Sequence, residues 1–281
     1  MRYVINVLSY NRPLYLAKVL HSLKLNDLTD CEVVLWQDGY IKPGADTYDR
    51  TIYDMCINTF KSIFPDSLVC SSNMNKGVGQ MYREMKAWTF ERFQVGIFLE
   101  DDLVLGKDYI AILKKLYTQT ADNMHVGLIT AYGPDRFVND VEQETRSREL
   151  ELGIPSWGYL LGKKQYLLRK DILENEYYPL LTNHTYKDMD HSSILENYVR
   201  KNGFRINSTS QDTADTIAMI RSGQVKISTV TRNAHYIGAV GEHFSQAEFD
   251  SGYYGKDKLF QYDSIPEFNI PSTERLLEIL S

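Results

Sequence analysis

The sequence is poor in cysteine, in positive charge and in long apolar runs, and each shortage narrows what the chain can be. Its three cysteines, Cys31, Cys56 and Cys70, are an odd set without metal-ligand spacing, each in or beside an apolar stretch. That pattern fits buried free thiols in a reducing compartment. Lys and Arg total 31 against 37 Asp and Glu, a formal net charge of -6. The balance argues against a broad grip on nucleic acid or an anionic membrane, while leaving room for a local basic groove. No stretch approaches the roughly 18 apolar residues of a membrane span. The run from Met1 to Leu8 is too short for a signal peptide and lacks a small-residue cleavage site, so a cytoplasmic protein with no integral membrane segment is expected. There is no internal repeat and no low-complexity tract.

What is present reads as an ordinary globular chain. It has 281 residues, 43% hydrophobic and 24% charged, enough to bury a sizeable core in one large α/β domain or two small ones. Twenty tyrosines and three tryptophans form a generous aromatic supply. Flat aromatic faces suit sugar handling, and they equally suit core packing.

The first half alternates strand-like and helix-like segments. Tyr3 to Leu8 is a compact apolar run ending at Ser9, and after Pro13 the residues Leu16, Leu20 and Leu23 share one helical face. Further strands are expected at Glu32–Trp36, Ser67–Cys70, Val95–Leu99 and about Val126–Ala131, with helices at about 51–64, 79–90 and 107–118 between them. Such alternation predicts an α/β fold, a mostly parallel sheet with right-handed crossovers and helices on both faces. Residues 135–151 are charged and weakly periodic and read as a surface loop; 191–201 and 272–280 read as helices.

Ligands of open parallel sheets bind at the carboxyl ends of the strands, and here those ends are polar: Tyr10-Asn11-Arg12, Gln37-Asp38, Asn73 to Lys76, and Glu100-Asp101-Asp102. The last cluster follows Ile97-Phe98-Leu99, so carboxylates arrive at the tip of a buried strand. Burying like charges costs free energy unless a cation joins them, and a hard divalent ion shared with a diphosphate would do so. A solvated turn or a cap for the next helix accounts for the same residues.

Taken together, Val4-Ile5-Asn6-Val7-Leu8-Ser9-Tyr10-Asn11-Arg12-Pro13 and Val33-Val34-Leu35-Trp36-Gln37-Asp38-Gly39 resemble the opening of family-2 and related GT-A glycosyltransferases. Phe98-Leu99-Glu100-Asp101-Asp102 is similar to their DxD element, in the EDD form of N-acetylglucosaminyltransferase I. The resemblance covers roughly residues 3 to 245, most closely in the first hundred. It implies a GT-A domain over 1–250, with a nucleotide-binding half at 1–105, an acceptor-side half at 106–250, and a C-terminal extension at 251–281 packing on it.

The resemblance also implies a site. Asp102 would bind Mn2+ or Mg2+, beside Glu100 and Asp101. Ser9, Tyr10, Asn11 and Arg12 would hold base and ribose, and Asp38 would accept from a uracil imide, which favours UDP; a tight turn at Asp38-Gly39 is compatible with that role. Asn73 to Gln80 resembles the family's Asn-x-Gly segment, whose helix start, with Lys76, would face the diphosphate or an adjacent carboxylate; a glycine turn before a helix is the other reading. Trp157 and Gly158 resemble the Trp-Gly element beside the sugars, with a core anchor as the other reading of Trp157. Asp190, with Asp188 as its rival, takes the place of the base that deprotonates the acceptor hydroxyl in inverting relatives; both also suit helix capping. His235 to His243 corresponds to a mobile loop over the donor, with His243 a candidate for the metal or the diphosphate.

The Gln-x-x-Arg-Trp element of processive synthases is absent, so a single-addition enzyme is expected. The alternatives are a sugar nucleotidyltransferase, whose Gly-rich first loop has no counterpart in Ser9 to Pro13, and a sugar-binding or scaffold protein that kept only the fold. The acceptor is left open among a glycan, a protein side chain and a modified nucleobase, as are the donor sugar and a homodimer.

Overall fold

The computed structural model describes residues 1–42, 49–134, 136–153, 157–182, 197–203, 211–239, 246–252 and 254–280. The centre is an eight-stranded sheet in the order β3-β2-β1-β4-β8-β6-β9-β7. Its strands are β1 (Tyr3–Ser9), β2 (Cys31–Gln37), β3 (Leu68–Ser71), β4 (Val95–Glu100), β6 (Val126–Thr130), β7 (Leu150–Leu152), β8 (Tyr159–Gly162) and β9 (Val225–Thr229). A small antiparallel ribbon pairs β5 (Leu103–Leu105) with β10 (Ala234–Tyr236).

Every residue of β1 is buried, as befits a central strand covered on both faces. Tyr3, Ile5 and Val7 join one core with Leu16, Leu20, Leu23 and Leu113, while Val4 and Leu8 join another with Met81, Tyr82 and Met85. The helices that cover these faces are α1 (Pro13–Lys24), α2 (Thr51–Ile63), α3 (Gly77–Arg92) and α4 (Tyr109–Thr120). Helix α1 starts with Pro13 in its first turn, where the missing N–H costs nothing. Between α3 and β1 the wholly buried Asn6 is held by the Trp36 indole, which donates to it at 2.9 Å, and by its own donation to the Ile97 carbonyl.

The fold is α/β, and all its sheet strands but β7 and β8 run the same way. Strand β8 lies antiparallel between β4 and β6, an insertion that the strand and helix alternation does not foretell. Residues 135–151 correct the surface-loop expectation. They contain a short helix, α5 (Asp140–Thr145), whose N-cap Asn139 accepts from the Glu142 N–H at 2.9 Å, and they lead into β7 on the sheet edge. Cys56 is buried as expected, whereas Cys31 and Cys70 are only half-buried; all three are free.

After β8 the chain forms α6 (Lys163–Ile172), a π-helical turn at Leu173–Tyr177 and α7 (Tyr178–Thr182); a further helix spans Gln211–Arg221. Residues beyond 256 lie against the sheet's far half. The Phe268 ring and Leu276 are buried, the Asn269 N–H donates to the Arg148 carbonyl, and Arg232 forms a buried ion pair with Asp257 at 3.0 Å. Among the described residues no helix is long and apolar enough to cross a membrane.

Candidate functional site

The parallel register aligns Leu8 with Glu100 and Ser9 with Gln37, so the polar ends of β1, β2 and β4 meet at one edge of the sheet. Asp101 and Asp102 are buried there, at 2% and 5% exposure. Arg12, from the start of α1, pairs with both: it contacts Asp101 and lies 2.8 Å from Asp102 Oδ2. The Ser9 hydroxyl adds a longer contact to Asp101 at 3.4 Å, and the Tyr82 hydroxyl donates to Glu100 at 2.9 Å.

One guanidinium thus pairs with two of the three carboxyls, and the surplus shows in their proton affinities. Burial, with repulsion from Asp102 and Asp212, pushes the Glu100 carboxyl up to about 8. Burial raises Asp101 to about 6 despite Arg12, and raises Asp102 in the same way. Arg12 itself is held more firmly cationic, since the two carboxylates outweigh its burial.

Asp38 is the adjacent carboxylate that meets the start of α3. Its Oδ1 accepts from the N–H of Gly39 at 2.7 Å and of Lys76 at 2.8 Å, and its Oδ2 accepts from the Gly77 N–H and the Asn75 amide at 3.0 Å each. One buried carboxylate therefore ties the β2 loop to the amino end of α3, satisfying backbone donors that a helix start leaves orphaned. Burial raises its proton affinity while the Lys76, Gly39 and Gly77 N–H groups oppose the rise. The Lys76 ammonium pairs with Glu84 at 2.7 Å.

Strand β10 roofs the acidic corner. The Ile237 N–H donates to the Asp102 carbonyl at 2.8 Å, and a Cβ on Gly238 would come within 2.8 Å of Asp102 Oδ2 and 2.4 Å of the Tyr236 hydroxyl. Trp157 stacks flat on Tyr236, centroids 4.6 Å apart and planes 9° from parallel, and meets Tyr132 edge-on at 4.9 Å. Its carbonyl accepts from Thr130 at 2.8 Å. The ring is thus an aromatic anchor of the roof. Gly158 is buried at φ +59, where a Cβ would strike Leu103 and the Tyr109 hydroxyl.

Beside this corner the first turn of the helix Gln211–Arg221 brings a carboxylate that sequence reasoning missed. The Gln211 Cβ sits 3.9 Å from where Gly79 of α3 would carry its own, and Asp215 pairs with Lys86 of α3 at 3.3 Å. Asp212, between them and half-buried, acts electrostatically on both Tyr82 and Glu100. Burial raises its proton affinity; Lys226 and Lys86 oppose this and Asp215 adds to it. Only a pattern of carboxylates at i and i+3 in a helix hinted at Asp212, and such spacing is common on solvated faces.

The structure therefore brings together Ser9, Arg12, Glu100, Asp101 and Asp102, with Asp38 and Lys76 at the adjoining strand end and Trp157 and Gly158 in the roof. Tyr10 is half-buried, with the Lys42 ammonium 5.5 Å from its ring centroid, and Asn11 is exposed. Asp188, Asp190 and His243 lie outside the described residues. Among the described residues no three His, Cys, Asp or Glu side chains form a metal-ligand group. Glu100, Asp101 and Asp102 offer oxygen donors only, the type that a hard divalent ion takes when a substrate supplies further ligands.

No family model matches the chain, and no curated protein matches it. Among solved structures, Staphylococcus aureus TarS residues 1–349 is 18% identical, with 62% of this chain and 50% of that chain covered and a TM-score of 0.39. The mannosyltransferase PcManGT from Pyrobaculum calidifontis, in complex with GDP-Man and Mn2+, is 14% identical, with 61% and 46% covered and a TM-score of 0.42. Glucosyl-3-phosphoglycerate synthase from Mycobacterium tuberculosis, in complex with Mn2+, UDP and glucosyl-3-phosphoglycerate, is 14% identical, with 60% and 58% covered and a TM-score of 0.37. This chain thus spans 46% to 58% of the length of these three. Identities and TM-scores this low assign no activity to it.

Proposed function

We propose that the chain is a glycosyltransferase that moves a sugar from a nucleotide-sugar donor, with UDP the favoured carrier, to an acceptor hydroxyl. The observation that carries this reading is the gathering of Glu100, Asp101, Asp102 and Arg12 at the carboxyl ends of β1 and β4, in the position where parallel sheets hold their ligands. Tyr10 and Asn11, which follow β1 beside this corner, are assigned to the base and ribose.

Asp102 is the residue that would hold a Mn2+ or Mg2+ ion, and such an ion would neutralise the diphosphate as it departs. Arg12, already paired with Asp101 and Asp102, keeps the two side chains in place and supplies positive charge at the diphosphate end. Asp190, with Asp188 as its rival, is the proposed acceptor of the hydroxyl proton, and Asp212, whose charge acts on Glu100, is a third candidate. In the step itself the acceptor oxygen gives its proton to that carboxylate and bonds to the anomeric carbon. The bond from that carbon to the diphosphate oxygen breaks, and the nucleoside diphosphate leaves with the electron pair. Attack from the opposite face inverts the anomeric centre. The shifted proton affinity of Asp212 suits a base that works as the proton becomes acidic late in bond formation.

The test is nucleoside diphosphate release from a panel of UDP-, GDP-, CDP- and TDP-sugars with Mn2+. Release from a UDP-sugar that Asp102→Ala abolishes supports the reading, and no release from any donor counts against it. Among Asp212→Asn, Asp190→Asn and Asp188→Asn, the one that removes turnover while leaving UDP binding intact identifies the base.

A further inference from the structure

The roof of the acidic corner is gripped from outside by a stretch of the C-terminal segment to which the proposed chemistry gives no role. Tyr254 meets the Tyr236 ring at 5.4 Å between centroids, with planes 62° apart, and the Trp157 ring at 5.9 Å. Phe249, in the short helix Gln246–Ser251, stacks on Tyr254 at 5.6 Å and reaches Tyr236 at 6.2 Å. Three residues beyond Tyr254, the Asp257 carbonyl lies 2.8 Å from His235 Nε2. The Asp257 carboxylate accepts from the Val138 N–H at 3.2 Å and pairs with Arg232. Arg232, His235 and Tyr236, in β10 and just before it, are thus all held by residues 249–257.

The same strand bears on the site. The Tyr236 hydroxyl donates to the Gly238 carbonyl at 3.0 Å, and the Ile237 N–H donates to the Asp102 carbonyl at 2.8 Å. Gly238 in turn leaves no room for a Cβ against Asp102 Oδ2. Tyr236 is therefore where the two layers meet: its ring touches Trp157, Tyr254 and Phe249, and its hydroxyl fixes the turn that closes on Asp102. Tyr254 and Phe249 are only half-buried, so they add less to the core than a wholly buried ring would. What aromatic pairs at these separations do supply is a preferred mutual orientation, which an aliphatic side chain of like volume does not.

We infer that Tyr254 is a positioning residue: by clamping Tyr236 against Trp157 it keeps Ile237 and Gly238 closed on Asp102. The C-terminal segment is then the outer wall of the site and helps to fix its geometry, as the supports behind a binding group do elsewhere. The consequence for donor binding rests on the proposed function; the clamp itself does not. Because the ring makes the contact, Phe is expected to replace Tyr254 and Leu is not.

The test is residue-resolved amide hydrogen exchange of the full chain without ligand, in the wild type, Tyr254→Leu, Tyr254→Phe and Phe268→Leu. Phe268, a buried ring of the C-terminal segment against the sheet's far half, controls for general destabilisation. In Tyr254→Leu the Ile237 N–H is expected to exchange about tenfold faster relative to the amides of β1, since the opening is local. In Tyr254→Phe and Phe268→Leu that ratio is expected to stay within about twofold of the wild type. If Tyr254→Leu does not fold, Phe249→Leu carries the same expectation. An unchanged ratio in the folded variant overturns the inference, as does an equal rise in Tyr254→Phe or Phe268→Leu. Calorimetry of UDP with Mn2+ reads the consequence: binding is expected to weaken about tenfold in Tyr254→Leu and to hold in Tyr254→Phe and Phe268→Leu. Equal affinity in Tyr254→Leu and the wild type would leave Tyr254 a packing contact and overturn its positioning role. A wild type that binds no UDP would remove the donor reading while the exchange result still decides the clamp, so the two ideas fail separately.

Discussion

Gly238 lies directly on the carboxylate of Asp102: a methyl group at that Cα would stand 2.8 Å from Asp102 Oδ2. The neighbouring Ile237 N–H fixes the Asp102 backbone at 2.8 Å. The roof over the acidic corner is therefore built against the one side chain proposed to hold a metal ion. Gly238→Ala is expected to lower nucleoside diphosphate release steeply and to destabilise the protein by about 1–3 kcal/mol, because a methyl group is forced into filled space. Kinetics and chemical denaturation of the same sample read both effects; an unchanged release rate would separate the roof from the site.

Asp38 is expected to matter first for stability. Asp38→Ala strands the N–H groups of Gly39, Lys76 and Gly77 and the Asn75 amide, a loss of about 2–4 kcal/mol. Asp38→Asn should retain part of the network and lose less. If denaturation finds Asp38→Ala as stable as the wild type, the carboxylate is not the tie that its geometry implies.

How far the sequence foretold this arrangement differs from element to element. The strands through Ser9, Gln37 and Glu100 and the helices after Pro13 and Gly77 are legible because apolar period and turn chemistry agree there. Their polar ends are legible as a site because parallel strands deliver them to one edge. The partners of those ends are not. Nothing in the order of residues says that Arg12 pairs with Asp101 and Asp102, or that Asp38 ties down α3, since both depend on how distant segments dock. Lys86, Arg169 and Lys226 stand out in no sequence pattern, and only the packed structure shows them buried. Strand β7 and helix α5 escaped because three-residue and six-residue elements carry too little periodicity to stand out from a charged loop.

The C-terminal segment is held by a buried charge pair. Arg232 lies 3.0 Å from Asp257 and also donates to the carbonyls of Tyr132 and Pro134, with its guanidinium 4.4 Å from the Tyr132 ring centroid. Asp257→Ala leaves this guanidinium buried without its carboxylate, and a loss of about 3–5 kcal/mol in urea denaturation is expected. A loss below about 1 kcal/mol would match an exposed pair instead.

A surface network gives a contrasting pH dependence. Hydrogen bonds from Arg136, and then from Arg146, hold the Glu142 carboxyl down to about 2. A carboxyl depressed in the folded state adds stability above its ordinary value, and that stability is lost as pH falls from about 4.5 toward the folded value. Glu142→Gln is therefore expected to cost under about 1 kcal/mol at neutral pH, less in high salt, and nothing near pH 2. A cost that grows on acidification would contradict the assignment.

The most direct measurement of the central claim is the melting temperature of the wild type and of Asp102→Ala with UDP, GDP, CDP or TDP, each with and without Mn2+. A ligand that binds only the folded state raises the melting temperature by mass action. The expected result is a rise for the wild type with UDP and Mn2+ together, little with either alone, and none for Asp102→Ala relative to its own baseline. No rise with any nucleotide under any condition would contradict nucleotide-sugar chemistry at the acidic corner.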